Sequence, residues 1–158
     1  MPGTVIAVCW ITAVAHAIGG EPRAAIVRET APAAARATSR SVWDGVYTME
    51  QARRGEAVYA RECAHCHGQT LEGNGEGAGA LAGIEFLSMW NGLTLGDMMD
   101  RVRLTMPLDK PGTLDRQQHA DVLAYIVSAN KFPAGKTELP REPERLKQIL
   151  FDALKSGR

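Results

Sequence analysis

The chain has 158 residues, with 18 Lys plus Arg against 18 Asp plus Glu and 45% apolar residues, a capacity that suits one globular domain with room for an extension. Balanced charge and a pI near 6.9 argue against a nucleic-acid binder acting through a broad basic field, and no apolar run of about eighteen residues is left to span a bilayer after processing. Three cysteines are too few for a disulfide-dense scaffold, and two of them lie three positions apart, which suits a cofactor or metal better than a structural staple.

In chain order, Val5 to Ile18 reads as the apolar core of a secretory signal. Ala15-His16-Ala17 then supplies the small-x-small pattern for cleavage after Ala17. Residues 1–17 are therefore expected to direct export, with only the α-amino group as the positive end, since no Lys or Arg precedes the apolar run. Cys9 leaves with that segment. Residues 18–42 shift to Ala, Arg, Pro and Glu without sustained periodicity. They read as a flexible tether, the alternative being a frayed Ala-rich helix interrupted at Pro22 and Pro32.

A domain is expected over 43–133. Thr48-Met49-Glu50-Gln51 has the capping-box pattern, and a helix is predicted from Met49 to about Cys63 with Gly55, Tyr59 and Cys63 on one face. Gly55 weakens such a helix by about 1 kcal/mol relative to Ala, which points to a close approach by another helix. Gly68 to Gly83 holds six of the sixteen glycines and reads as a wrapping loop. A phosphate cradle at Gly73–Gly77 is ruled out by the missing strand and lysine and by Glu72 and Glu76. Thr94, answered by Asp97, predicts a second helix with Leu95, Met98, Met99 and Val102 as its apolar stripe and Pro107 as its end. Thr113 is expected to cap a third helix reaching about Asn130, with Val122, Leu123, Tyr125, Ile126 and Ala129 inward. In the extension 134–158, Leu146, Ile149, Leu150, Ala153 and Leu154 predict an amphipathic helix over Glu144–Leu154 that either docks back on the domain or binds a partner. No segment carries a strand pattern of comparable quality.

Cys63-Ala64-His65-Cys66-His67 is the chemical signal. C-x-x-C-H is the attachment pattern for c-type haem, because thiols at i and i+3 on a helical turn face one way and reach two vinyl groups on one porphyrin edge. His67 follows directly and offers a neutral imidazole nitrogen to the iron. A zinc site lacks a fourth ligand in any fitting spacing, and a thioredoxin-type dithiol would open a helix after a strand rather than close one. For the sixth position Met106 is the candidate, because it follows a helix and is stiffened by Pro107. His119 is the rival, set among Gln117, Gln118 and Asp121 on what reads as a solvated face, while His65 points away between the cysteines and His16 belongs to the signal.

On these residues, Trp43 to Lys131 resembles monohaem class I cytochrome c. The likeness rests on Gly55 to Tyr59, Cys63–Gly68, the glycine-rich loop, Met106-Pro107 and Ala124-Tyr125-Ile126. Trp43–Thr48 and Thr94–Met98 also look like cytochrome c subunits associated with dehydrogenases, including quinoprotein alcohol dehydrogenases. The resemblance implies an all-α fold, about three core helices around one covalently attached haem c, with the first and last helices crossing near Gly55 and Tyr125. It implies His67 and Met106 as axial ligands. Where many relatives have a proline whose following carbonyl orients the proximal histidine, this chain has Gly79-Ala80-Leu81-Ala82-Gly83, which still offers a backbone acceptor. Leu81, Phe86, Leu104 and Trp90 are expected to wall the haem, and Trp90 or Arg103 to meet a propionate.

The function that follows is periplasmic electron transfer without catalysis, with a dehydrogenase as donor and an oxidase or another cytochrome as acceptor. Twelve acidic against eight basic side chains between Trp43 and Lys131 favour partners with a basic docking patch. Two alternatives stand beside the free carrier: a dedicated electron-transfer subunit of a dehydrogenase complex, and a haem-based gas sensor or peroxidase with a labile sixth ligand, although no distal acid–base pair is evident.

Overall fold

Thr48 begins the framework of the domain. In the computed structural model, which describes residues 40–75 and 77–153, its hydroxyl accepts from Gln51 N at 3.1 Å and starts α1 (Met49–Glu62). The expected signal and almost all of the expected tether lie outside the described residues. A short turn, α2 (Ala64–His67), follows Cys63, and α3 (Ile84–Trp90) comes after the glycine-rich loop. α4 (Leu95–Thr105) and α5 (Arg116–Ala129) complete the helical framework. Two-residue strands β1 (Arg40–Ser41) and β2 (Ile149–Leu150) form the only sheet among the described residues, and a four-residue turn, α6 (Pro143–Leu146), precedes β2.

The crossing of α1 and α5 is set by Gly55. A Cβ there would overlap the Asp121 carbonyl and crowd Cβ of Tyr125, so the two backbones meet where the sequence leaves a side chain out. Above the crossing, the Tyr59 and Tyr125 rings pack at 5.2 Å between centroids. Arg54 braces its flank through Asp121 (3.1 Å to both carboxylate oxygens) and Glu138 (2.9 Å). α5 buries Ala120, Val122, Leu123, Ala124, Ile126 and Val127, so it is enclosed nearly all round rather than along one stripe. Its enclosure comes from α1 and α4, which the periodicity of α5 alone does not reveal, and the C-terminal segment docks on α4, on Gln51 of α1 and on β1.

That segment is a strap. Gln51, expected to complete the capping box of α1, is fully buried and instead accepts from Leu139 N at 2.7 Å and donates to Leu139 O at 3.2 Å. The tertiary demand of an otherwise unpaired backbone wins over the local cap. The helix predicted over Glu144–Leu154 stops at Leu146, and Ile149–Leu150 pair in parallel with Arg40–Ser41, while Leu154 lies outside the described residues. Leu146, Ile149 and Phe151 are buried, so the same apolar residues dock on the domain in a different backbone form. Phe151 stands edge-on to Phe86 (5.9 Å) and Phe132 (5.2 Å), and Phe132 stands edge-on to Trp43 (4.8 Å). Trp43 Nε1 donates to Asp152 O at 2.8 Å. Residues 40–42, expected in the tether, are part of this closure: Ser41 and Val42 are buried.

One helix start also moves. α5 is capped by Asp115, whose carboxylate accepts from Gln118 N (2.8 Å) while the Gln118 amide oxygen accepts from Asp115 N (2.9 Å). Thr113, the expected cap, donates its hydroxyl to Lys110 O and stays in the preceding loop. The reciprocal Asp–Gln pair satisfies two exposed donors where Thr113 alone satisfies one. For α4 the expectation holds: Thr94 and Asp97 form the capping box, and Leu95, Met98 and Met99 are buried.

Candidate haem-attachment site

α1 delivers Cys63 as its last cap, with Cys63 N donating to Tyr59 O at 2.8 Å, and α2 then carries Cys66 and His67. Both cysteines are free thiols and half-buried. Burial, reinforced by the nearby Glu62 carboxylate, pushes the Cys63 thiol up to about 11, so it is protonated at neutral pH. His65, between them, is exposed, as expected of a residue turned outward. Tyr59, one turn before Cys63, is 1% exposed, and its hydroxyl donates to Gly68 O at 2.6 Å, pinning the residue that follows His67. Burial raises the Tyr59 phenol well above its ordinary value, which keeps it a donor.

The ring of His67 is oriented by the loop. Nδ1 lies 2.8 Å from Gly79 O, and since a carbonyl only accepts, Nδ1 carries the proton and Nε2 keeps its lone pair. Without the proline, the Gly79–Gly83 stretch thus still provides the acceptor. The loop is held by Gly73 N donating to His67 O (2.8 Å), Leu81 N to Leu71 O (2.8 Å) and the Asn130 amide to Leu81 O (3.0 Å). Asn130 was not singled out in the sequence. Its signal is position, the residue closing α5, where a side-chain amide reaches neighbouring carbonyls.

Met106 caps the C-terminus of α4, with its N donating to Val102 O at 2.8 Å and its backbone extended (φ −128°, ψ 150°) ahead of a cis peptide to Pro107. It is half-buried. The rival, His119, differs from expectation: it is 1% exposed, not on a solvated face. Its Nδ1–H donates to Asp115 O at 2.8 Å, and Nε2 is buried without a partner among the described residues. Burial holds this imidazole below its usual range and so neutral. The ring is therefore enclosed by packing rather than solvated.

The expected wall residues separate. Phe86 is buried, and its ring packs at 6.2 Å from that of Trp90, which is half-buried, as is Leu81. Leu104 is 64% exposed, and Arg103 is exposed beside Asp100 at 3.7 Å. Ile84, Met89 and Leu108 are large, apolar and exposed, and were not picked out from the sequence. α3 is seven residues long, too short to show a stripe, and Leu108 lies in a loop. Among the described residues no group of three or more His, Cys, Asp or Glu side chains is assembled to hold a metal ion.

A mostly helical domain with α1 crossing α5 at a glycine, and a C-x-x-C-H turn held by its first helix and a glycine-rich loop, defines the class I cytochrome c architecture. The family match agrees. Residues 50–126, just under half of the chain, match the family described as cytochrome c oxidase, cbb3-type, subunit III. Over this stretch the chain is similar to a cytochrome c domain, a likeness that fits its helical fold and its C-x-x-C-H turn. A search of curated proteins gave no match. Among solved structures, the sulfane dehydrogenase SoxCD from Paracoccus pantotrophus is 20% identical over 68% of this chain, with a TM-score of 0.44. The alignment spans 61% of that chain's length, and a likeness at this level bears on neither substrate nor partner. No helix among the described residues is long and apolar enough to cross a membrane.

Proposed function

We propose that the protein is a periplasmic electron carrier holding one haem c through thioether bonds to Cys63 and Cys66, with His67 and Met106 as axial ligands. The bound haem supplies reversible one-electron chemistry at its iron. The observation that carries the reading is the His67–Gly79 hydrogen bond, because a ring whose Nδ1 proton is committed to a carbonyl presents Nε2 as a ready, neutral donor. Tyr59 keeps that turn in place from beneath through Gly68. Met106, at the abrupt end of α4, brings a soft thioether on a backbone that α4 and Pro107 stiffen from both sides. Ile84 and Met89 share α3 with the expected wall residues Phe86 and Trp90, Leu108 follows Met106 by two positions, and a flat apolar cofactor is the kind of partner such exposed side chains would satisfy.

Held by His67 and Met106, such a haem would have no open position for substrate and would supply electron exchange alone. The polypeptide's work is then to set the potential, exclude water and present an edge to partners. The acidic excess between Trp43 and Lys131 favours a donor and an acceptor with basic patches. Export through residues 1–17 would bring the chain to the compartment where such attachment occurs in bacteria.

The optical spectrum of the oxidised holoprotein tests this reading. It is expected to show low-spin haem with the weak far-red band of methionine sulfur on ferric iron, and Met106→Ala to abolish that band while leaving haem attached. A band that survives in Met106→Ala assigns the sixth ligand elsewhere, and a high-spin wild-type spectrum favours a gas-binding role.

A further inference from the structure

The segment from Met106 to Asp115 carries no regular element, and its hydrogen bonds among the described residues are local: Lys110 N donates to Pro107 O at 3.0 Å and the Thr113 hydroxyl to Lys110 O at 2.9 Å. One ion pair reaches out of it. Lys110 Nζ lies 2.7 Å from Glu62 Oε2, and Glu62 is the last residue of α1, directly before Cys63. The bridge therefore ties the loop that presents Met106 to the turn that presents Cys63, Cys66 and His67. Arg61 also approaches Glu62, at 3.9 Å, but it sits on the same helix and spans nothing.

Three features characterise this pair. Its partners come from segments separated by almost fifty residues, so it closes a loop instead of reinforcing a helix. The Glu62 side chain keeps 21% of its surface and the Lys110 side chain 47%, so the pair is half-exposed and stays open to screening by salt. Each charge also supports the other, since Lys110 holds the Glu62 carboxyl below its usual range and Glu62 holds the Lys110 ammonium above its own.

Resting on the assignment of Met106 as the sixth ligand, we propose that Glu62 and Lys110 form a clasp that positions Met106, and that this clasp sets how often the methionine side opens to admit an exogenous ligand. Neither residue touches the haem in this proposal; both act through the backbone of the loop. The clasp is a device for keeping an electron carrier from behaving as a gas binder.

The test uses the reduced holoprotein and carbon monoxide, whose binding rate reports the population with the methionine detached. Glu62→Gln and Lys110→Gln are each expected to raise that rate about two- to fivefold, the scale of a single exposed or half-exposed pair. The reversed pair, Glu62→Lys with Lys110→Glu, is expected to return it toward wild type. High salt should accelerate binding in wild type and leave the single variants nearly unchanged. Thermal unfolding followed by far-ultraviolet circular dichroism serves as a control for general loosening, which would affect the reversed pair as much as the single variants. Wild-type rates in both single variants, or a reversed pair no slower than they are, overturns the clasp. If Met106→Ala keeps the far-red band, it is the ligand assignment that fails, and the two failures are told apart.

Discussion

The two sides of the candidate haem site are held in different ways. On the histidine side, the turn from Cys63 to Gly68 is held from three directions: Tyr59, itself buried, donates to Gly68 O, the more exposed His67 ring donates to Gly79 O, and α1 lies against α5 through Gly55. On the methionine side, Met106 ends a helix whose far cap is an exposed box and continues into a loop tied outward by one ion pair among the described residues. A hydrogen bond from a buried donor such as Tyr59, backed by the close α1–α5 packing, costs more to break than an exposed one, which water replaces at little cost. The histidine side is thus built as a fixture and the methionine side as an adjustable arm.

The largest way to break this contrast is Gly55→Ala. Its Cβ meets the backbone of Asp121, which has no rotamer to give, so α1 and α5 must separate under the histidine side. A loss of about 3 kcal/mol or more is expected, read as a large drop in the thermal midpoint of the holoprotein. Tyr59→Phe is gentler. It retains the ring against Tyr125 and removes only the donor to Gly68 O, so about 1–2 kcal/mol should be lost in denaturant unfolding.

Thr94→Ala is the smallest, about 1 kcal/mol, because it removes an exposed cap from α4. It also sharpens the comparison through pH. Thr94 hydrogen bonds hold the Asp97 carboxyl below its ordinary value, so its contribution is complete above the unfolded carboxyl range and disappears as pH falls through the folded value. Titrating stability from pH 7 into acid, the variant should show a shallower decline than wild type on that limb.

Much of this was legible in the sequence because local chemistry decided it. The caps at Thr48 and Thr94 and the Cys63–His67 turn are each specified by residues within a few positions of one another, and Gly55 marked its crossing by being a costly residue inside a helix. What was hidden depended on residues far apart in the chain. Gln51 gave up its cap because Leu139 N and O needed partners 88 positions away. Leu146, Ile149 and Leu150 have helical spacing, yet pairing with Arg40–Ser41 and burial of Phe151 draw the last two into a strand. His119 looked solvated among polar neighbours on its own helix, and only tertiary packing encloses it. The cysteine motif names the chemistry, but the Glu62–Lys110 pair has no local signature at all.

The most direct measurement of the central claim is made on protein matured in a bacterial periplasm with a working haem-attachment apparatus, then denatured and extracted with acidified organic solvent. Covalent attachment through Cys63 and Cys66 predicts that the pigment stays with the polypeptide, and that replacing both cysteines with alanine leaves the protein without attached haem. Pigment released from the wild-type chain into the solvent, or a colourless wild-type protein, would contradict the account.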